Sequence, residues 1–302
     1  MVLKYYEGAN FGDAINPLIF NDLLPGFFDN DEKTWFMGIG STLGFIRADE
    51  TTKKIIVFST GYAYDSPPVP DKRYDFRCVR GPLTAGVLKL KDKKYITDGA
   101  ILLRSLPQFR NKTHKSYKYS FIPHHLSESM YDRWKELFNE SGINYISPAT
   151  EPLKAIELIR QSEFVITEAM HGAIIADAFR VPWIPLKMFE HINEFKWRDW
   201  LLSMNMEYVP ERIFRLYNQE WISWVVHDKL GISQSAFSNR LLSGIYRSYQ
   251  GSILEMRFRN ALRKIIEKAE PRLSMDHLAG LKEEQLLEEL DSVKKEYSRG
   301  IR

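Results

Sequence analysis

Through the first two-thirds of the chain, short apolar runs recur, and most give way to a polar turn and then to helical spacing. The runs are Val2–Tyr6, Trp35–Gly38, Lys54–Ser59, Phe76–Arg80, Tyr119–Ile122, Asn144–Ile146, Phe164–Thr167 and Trp183–Leu186. Their length and their β-branched and aromatic content predict strands. Alternation with helix-length segments predicts an α/β fold of parallel sheets joined by helical crossovers. The polar stretch Asn111-Lys112-Thr113-His114-Lys115-Ser116 has the composition of a linker. The pattern therefore divides the chain into an N-terminal Rossmann-like lobe over 1–110, a second Rossmann-like lobe over 111–210, and a helical C-terminal region over 211–302. Strands are expected to stop near residue 190, with breaks at Pro210 and Pro271.

Two later segments are amphipathic. Ile253–Glu270 places Leu254, Phe258, Leu262 and Ile265 on one face, with Arg257, Arg259, Arg263, Lys264 and Lys268 elsewhere. Such a helix can pack on its own protein with a solvated basic face, or lie on an anionic membrane surface; packing is the expectation. Leu286, Leu287, Leu290 and Val293 among Glu and Lys predict a packing or dimerising helix.

Composition narrows the function classes. The 302 residues can bury a large core, and 42 basic against 39 acidic residues leave a net charge of +3, too mild to indicate nucleic-acid binding. One cysteine, Cys78, excludes an internal disulfide and a multi-cysteine zinc site, and its expected place is a buried strand. No apolar run approaches the ~18 residues that span a bilayer, and the start reads as a strand rather than a signal peptide. A cytoplasmic protein is expected.

The candidate chemistry stands where strands end, the place at which open α/β sheets bind ligands. Asn10-Phe11-Gly12-Asp13 follows the first strand and opens a helix; Gly12 can bring backbone close to a ligand while helix-start N–H groups face an anion, or Asp13 is merely a cap. Gly38-Ile39-Gly40-Ser41 and Ser59-Thr60-Gly61-Tyr62 can cradle an anion with backbone N–H groups. Neither has the spacing of a dinucleotide fingerprint, so no nicotinamide cofactor is predicted. Arg80, before Gly81-Pro82, is the better anion ligand of the pair Arg77 and Arg80. Phe164 to Ala178 reads as a buried strand, a turn carrying Glu168 and His171, and a helix of small residues; His171 beside Gly172 lies where a helix start favours negative charge. His124 and His125 end another strand. With no third ligand at suitable spacing they predict an acceptor or phosphate contact rather than a metal site.

Taken as an ordered set, Asn10-x-Gly12-Asp13, Gly38-x-Gly40-Ser41, Arg77-x-x-Arg80-Gly81-Pro82, Thr97-Asp98-Gly99-Ala100 and Met170-His171-Gly172, followed by Ala176 and Val181-Pro182, resemble the polysaccharide pyruvyltransferase family. Asn10 to Phe28 and Glu168 to Ile174 look most like its bacterial exopolysaccharide ketal-pyruvate transferases. The likeness covers about residues 1–190. It implies a fold similar to the two-lobed type B glycosyltransferases, phosphoenolpyruvate as donor without a further cofactor, and a lipid-linked oligosaccharide as acceptor, met in the cytoplasm or at the inner face of the membrane. Carried over, the resemblance implies His171, Glu168 and Asp13 as catalytic residues. It implies Arg80, Gly12, Gly40, Ser41, Gly172 and Lys187 around the donor, and His124, His125 and Asn10 around the acceptor. Many relatives carry Arg-x-His-Gly where this chain has Ala169, so Arg80, Lys187 or Arg180 must supply the missing cation. Two other readings share the pattern: a glycosyltransferase using a nucleotide sugar, and a non-catalytic relative that binds a glycan precursor.

Overall fold

The computed structural model describes residues 1–29, 31–91, 94–218 and 253–297. Two sheets, all parallel, carry the architecture. The first joins β1 (Val2–Lys4), β2 (Thr34–Met37), β3 (Lys54–Phe58) and β4 (Tyr74–Cys78) in sequential order. Its crossovers include α1 (Phe11–Ala14) and α2 (Asn16–Leu23); α3 (Pro82–Val87) follows β4. A 3₁₀ segment, Gly99–Ser105, and a single 3₁₀ turn, Pro107–Phe109, lead out of this half.

The second sheet begins after the polar stretch at 111–116. It contains β5 (Tyr117–Ile122), β6 (Asn144–Tyr145), β7 (Ser162–Thr167), β8 (Trp183–Lys187) and β9 (Glu211–Arg212), in spatial order β6-β5-β7-β8-β9. Between them run α4 (His125–Glu128), α5 (Trp134–Glu140), α6 (Pro152–Arg160), α7 (Met170–Ala178) and α8 (Glu194–Ser203). Strand β9 corrects the expectation that strands end near residue 190 and that a helical region starts at 211. Two residues after Pro210 complete the sheet edge beside β8 with the pairs Leu186 to Glu211 and Lys187 to Arg212. A run this short carries no periodicity from which a strand can be read.

All nine residues of α7 are buried, because it lies between its own sheet and the 3₁₀ segment of the first half. Its small residues make this possible. A Cβ on Gly172 would stand 2.7 Å from Thr167 Oγ1 and 2.9 Å from Ile122 Cδ1, so only glycine lets the helix start this close to β5 and β7. The principal apolar cluster runs continuously from Ile19, Phe20 and Phe36 through Leu102 and Leu103 to Ile174, Ile175 and Trp183.

The last two helices dock on different halves. In α9 (Glu255–Lys268), Phe258 and Leu262 are buried, with Phe258 against Trp134 and Phe138 of the second half. This is the expected packing on the protein's own surface. In α10 (Asp276–Tyr297), Leu286, Leu290 and Val293 join the principal core. The same helix meets the first half: Tyr297 Oη donates to Asp75 at 2.6 Å, and Arg77 pairs with Asp75, Glu289 and Glu296. Arg77 is thus structural. Residues 219–252 of the expected helical region lie outside the described residues.

Candidate functional site

The carboxyl ends of both sheets open onto one cavity of about 330 Å³. From the first half come Tyr6 and Asn10 after β1, Asp13 in α1, Ser41 and Phe45 after β2, and Tyr64 after β3. The second half adds His124, His125 and Leu126 after β5, Pro148 after β6, Ala169, Met170 and His171 after β7, and Lys196 from α8. Backbone holds the halves together beside it, the Phe11 N–H donating to the Pro148 carbonyl at 2.8 Å.

Asp13 is placed by three neighbours. Asn10 caps α1, its Oδ1 accepting from the Gly12 N–H, and its Nδ2 donates to Asp13 Oδ2 at 2.7 Å. Fully buried Asn16 donates to the carbonyls of Asp13 and Ile39 and accepts from the Ile39 N–H, tying the start of α2 to the turn after β2. In that turn Gly40 has φ +108, and a Cβ there would stand 2.6 Å from Asp13 Oδ1. Glycine therefore meets two demands at once, a left-handed backbone and room for the carboxylate. Burial pushes the Asp13 carboxyl above its ordinary value, against the lowering fields of His171, Lys196 and His125. A carboxylate held this way is a stronger base than one in water.

His171, in the first turn of α7, packs against α1 at Gly12. A side chain on Gly12 would overlap the His171 ring, so this glycine is what admits the imidazole. Lys196 donates from Nζ to Tyr64 Oη at 2.8 Å and lies 5.0 Å from the centre of that ring. It is the sole lysine or arginine lining the cavity among the described residues. Sequence reasoning missed it because α8 carries no motif; its one signal is the helix cap Asn193, whose Oδ1 accepts from Phe195 and Lys196.

On the other wall the His124 and His125 rings lie tilted to each other at 4.2 Å between ring centres, with His191 5.2 Å from His124. His124 Nδ1 accepts from the Leu126 N–H, capping α4. Burial, and then the charge of Lys196, hold His124 down to about 2, and burial lowers His125 and His191 as well. Neutral imidazoles can accept and donate to sugar hydroxyls. No group of three side chains suited to a metal ion occurs among the described residues.

A model of the polysaccharide pyruvyl transferase family matches residues 38–187. Over 213 residues the chain is 39% identical to the succinoglycan biosynthesis protein ExoV of Rhizobium meliloti (strain 1021), covering 69% of this chain and 66% of that protein. The chain belongs to the polysaccharide pyruvyl transferase family. It spans about two-thirds of the length of that relative. A solved structure of a functionally uncharacterized protein of Klebsiella pneumoniae subsp. pneumoniae is 15% identical, covering 71% of this chain and 92% of that one with a TM-score of 0.41.

Several side chains expected at the site of this pyruvyl transferase family member stand elsewhere. Arg80 is fully buried and saturated: Nε donates to Asp199 Oδ2 at 3.1 Å, one terminal nitrogen to Ser41 Oγ at 2.8 Å, and the other to the Tyr62 carbonyl at 3.1 Å. With every arm engaged it holds the turn that presents Ser41 and does not reach the cavity. Lys187 is taken by Glu194 at 2.8 Å and Glu190 at 3.2 Å. Arg180 is tied to Ser274 and Asp276 next to α10. None of the three lines the cavity, whereas Ala169 and Lys196 both do.

Glu168 and Gly172 also face inward. Glu168 is fully buried, and its Oε1 accepts from the Met188 N–H at 2.7 Å, linking the ends of β7 and β8. Burial raises its carboxyl to about 7, although the Ser127 hydroxyl and the N–H groups of Met188, His124 and Phe189 pull the other way. It sits under the histidine wall and does not line the cavity. Gly172 packs on the sheet. Gly12 and Gly40 act through the room they leave for His171 and Asp13. Asn10, Asp13, Ser41, His124, His125 and His171 all line the cavity.

Proposed function

We propose that this protein is an enzyme that transfers the pyruvyl unit of phosphoenolpyruvate, as a ketal, to a sugar of an exopolysaccharide precursor. The observation that carries the reading is the convergence of Asp13, His171 and Lys196, a carboxylate, an imidazole and an ammonium, on one cavity fed by the carboxyl ends of both sheets. Family membership and the likeness to a succinoglycan biosynthesis protein support the same chemistry.

Ketal formation needs a proton on the methylene carbon of the donor, addition of one sugar hydroxyl to C2, and displacement of phosphate by a second hydroxyl. The two hydroxyl protons balance the one gained by the methyl group and the one leaving with phosphate. In this reading Lys196 attracts the donor's carboxylate and phosphate, which carry the charge that must be held as C2 becomes electron-poor. His171 delivers the proton to the methylene carbon, and Asp13 takes the proton of the attacking hydroxyl. His124, His125 and Asn10 meet the acceptor, while Tyr6, Phe45 and Tyr64 offer aromatic faces on which a pyranose ring can lie. The chemistry calls for no redox cofactor.

The acceptor is a lipid-linked precursor, met at the inner face of the membrane. Among the described residues no helix is long and apolar enough to cross a membrane.

Thermal stability with phosphoenolpyruvate, and with a panel of nucleotide sugars, tests the donor. A ligand that binds only the folded state raises stability by about 2.7 kcal/mol at a hundred times its dissociation constant. A shift with phosphoenolpyruvate that disappears in Lys196→Met is expected. A shift with a nucleotide sugar alone would replace this reading by glycosyl transfer.

A further inference from the structure

Asp98 starts the 3₁₀ segment Gly99–Ser105, and one of its carboxylate oxygens, Oδ1, accepts from the Ala100 N–H at 3.0 Å. That cap needs one oxygen, and Asn or Ser would supply it equally well. The second oxygen, Oδ2, is buried and has no hydrogen-bond partner. It lies 3.8 Å from His171 Nε2, which is also buried and also unpartnered. An unpaired buried polar atom is destabilising, so two of complementary type facing each other are a costly arrangement to keep for capping alone. The other ring nitrogen, Nδ1, is the atom nearest to where a Gly12 side chain would begin, on the side where α1 presents Asp13. The charged and titratable groups around this junction are Asp98, Asp13 from α1, Lys196 from α8 and His125 from α4.

We propose that Asp98 is the positioning residue for His171: it draws the imidazole proton onto Nε2, leaves Nδ1 for the cavity, and stabilises the imidazolium whenever Nδ1 carries a proton. The gap of 3.8 Å is longer than a hydrogen bond, and hydrogen bonds of this kind commonly tighten when the site fills. Within the pyruvyl-transfer reading, on which this part rests, the Nδ1 proton passes to the methylene carbon of the donor. The carbon–carbon π pair forms the new C–H bond, C2 is left electrophilic, and the Nδ1 lone pair is restored. Asp98 keeps its charge throughout and takes no proton.

Asp98→Asn separates this role from capping. The amide oxygen continues to accept from Ala100, which turns the amide nitrogen toward His171. That nitrogen only donates, so Nε2 must become an acceptor and the ring proton must move to Nδ1. Nitrogen-15 spectra of labelled histidine, with His171 assigned by loss of its signals in His171→Gln, read the tautomer directly. The wild type is expected in the Nε2–H form and the variant in the Nδ1–H form, with melting temperatures within a few degrees. In pyruvyl transfer, kcat should fall about a hundredfold while KM for phosphoenolpyruvate stays within about threefold. Should Asp98→Asn fail to fold, Asp98→Ser retains a capping oxygen, removes the partner, and should lose the Nε2–H preference. An unchanged tautomer in the folded variants would overturn the proposal, as would an unchanged kcat. A tautomer switch in a protein whose wild type turns over no phosphoenolpyruvate would uphold the pairing and defeat the pyruvyl-transfer reading instead.

Discussion

Arg80 Nε and Asp199 Oδ2 stand 3.1 Å apart, and neither side chain has any exposed surface. Asp199 also accepts from the N–H groups of Leu83 and Thr84, both at 2.9 Å, and from the Thr84 hydroxyl, so it caps α3 while neutralising Arg80. One buried carboxylate on α8 thus fixes a helix start and, through Arg80, the turn carrying Ser41. Removing one partner of a buried pair leaves an uncompensated charge, so Asp199→Ala should destabilise the fold by roughly 3–5 kcal/mol. Urea unfolding measures this, and a loss under about 1 kcal/mol would show that the pair is not the anchor described.

Gly12→Ala should act on the imidazole. The added methyl meets the His171 ring and α1 cannot retreat, because the Phe11 N–H is bonded to Pro148. Overpacking of this kind costs about 1–3 kcal/mol of stability. A displaced catalytic group can cost on the order of a hundredfold in rate, so kcat should drop far more than folding does. Steady-state kinetics beside a melting curve checks the ratio of the two effects.

Lys196→Met keeps the length of the side chain and removes its charge. If the ammonium holds the donor, phosphoenolpyruvate should bind roughly 10- to 100-fold more weakly, the equivalent of losing a charged hydrogen bond. Titration calorimetry gives the constant. Equal affinity in the variant would move the donor away from α8.

Glu168 predicts a pH signature in stability. The folded protein keeps this carboxyl protonated up to about 7, whereas its ordinary value is 4.5. Below 4.5 both states hold the proton; between 4.5 and 7 only the folded state does, so this group's stabilising contribution is lost as pH rises through that window. The slope is at most about 1.4 kcal/mol per pH unit. Glu168→Gln keeps an acceptor for the Met188 N–H and should lack the slope. The difference between wild type and variant in denaturant unfolding from pH 4 to pH 8 isolates it, and a flat difference would mean that burial does not raise this carboxyl.

What could be read from the sequence follows from local rules. Alternation of apolar runs and helical spacing carried the two parallel sheets, since strand and helix periods are properties of neighbours along the chain. Polar residues after strands carried Asn10, Asp13, Ser41, His124, His125 and His171 to the cavity, because parallel strands place their carboxyl ends on one side. Strand β9 is not legible in the sequence because two residues have no period, and its pairing depends wholly on β8.

The charges were decided by tertiary structure. Arg80, Lys187, Lys196, Glu168 and Asp98 are indistinguishable as sequence tokens from free ligands, bases or caps. A charged side chain is free or occupied according to partners that are distant in the chain: Asp199 lies 119 residues from Arg80, and His171 meets Asp98 across the junction of the two halves. Burial makes such pairing obligatory, and burial is a property of the packed molecule. The sequence by itself determined which strand ends meet at the cavity; folding decided that Arg80 braces the turn, that Lys196 lines the cavity, and that Asp98 faces His171.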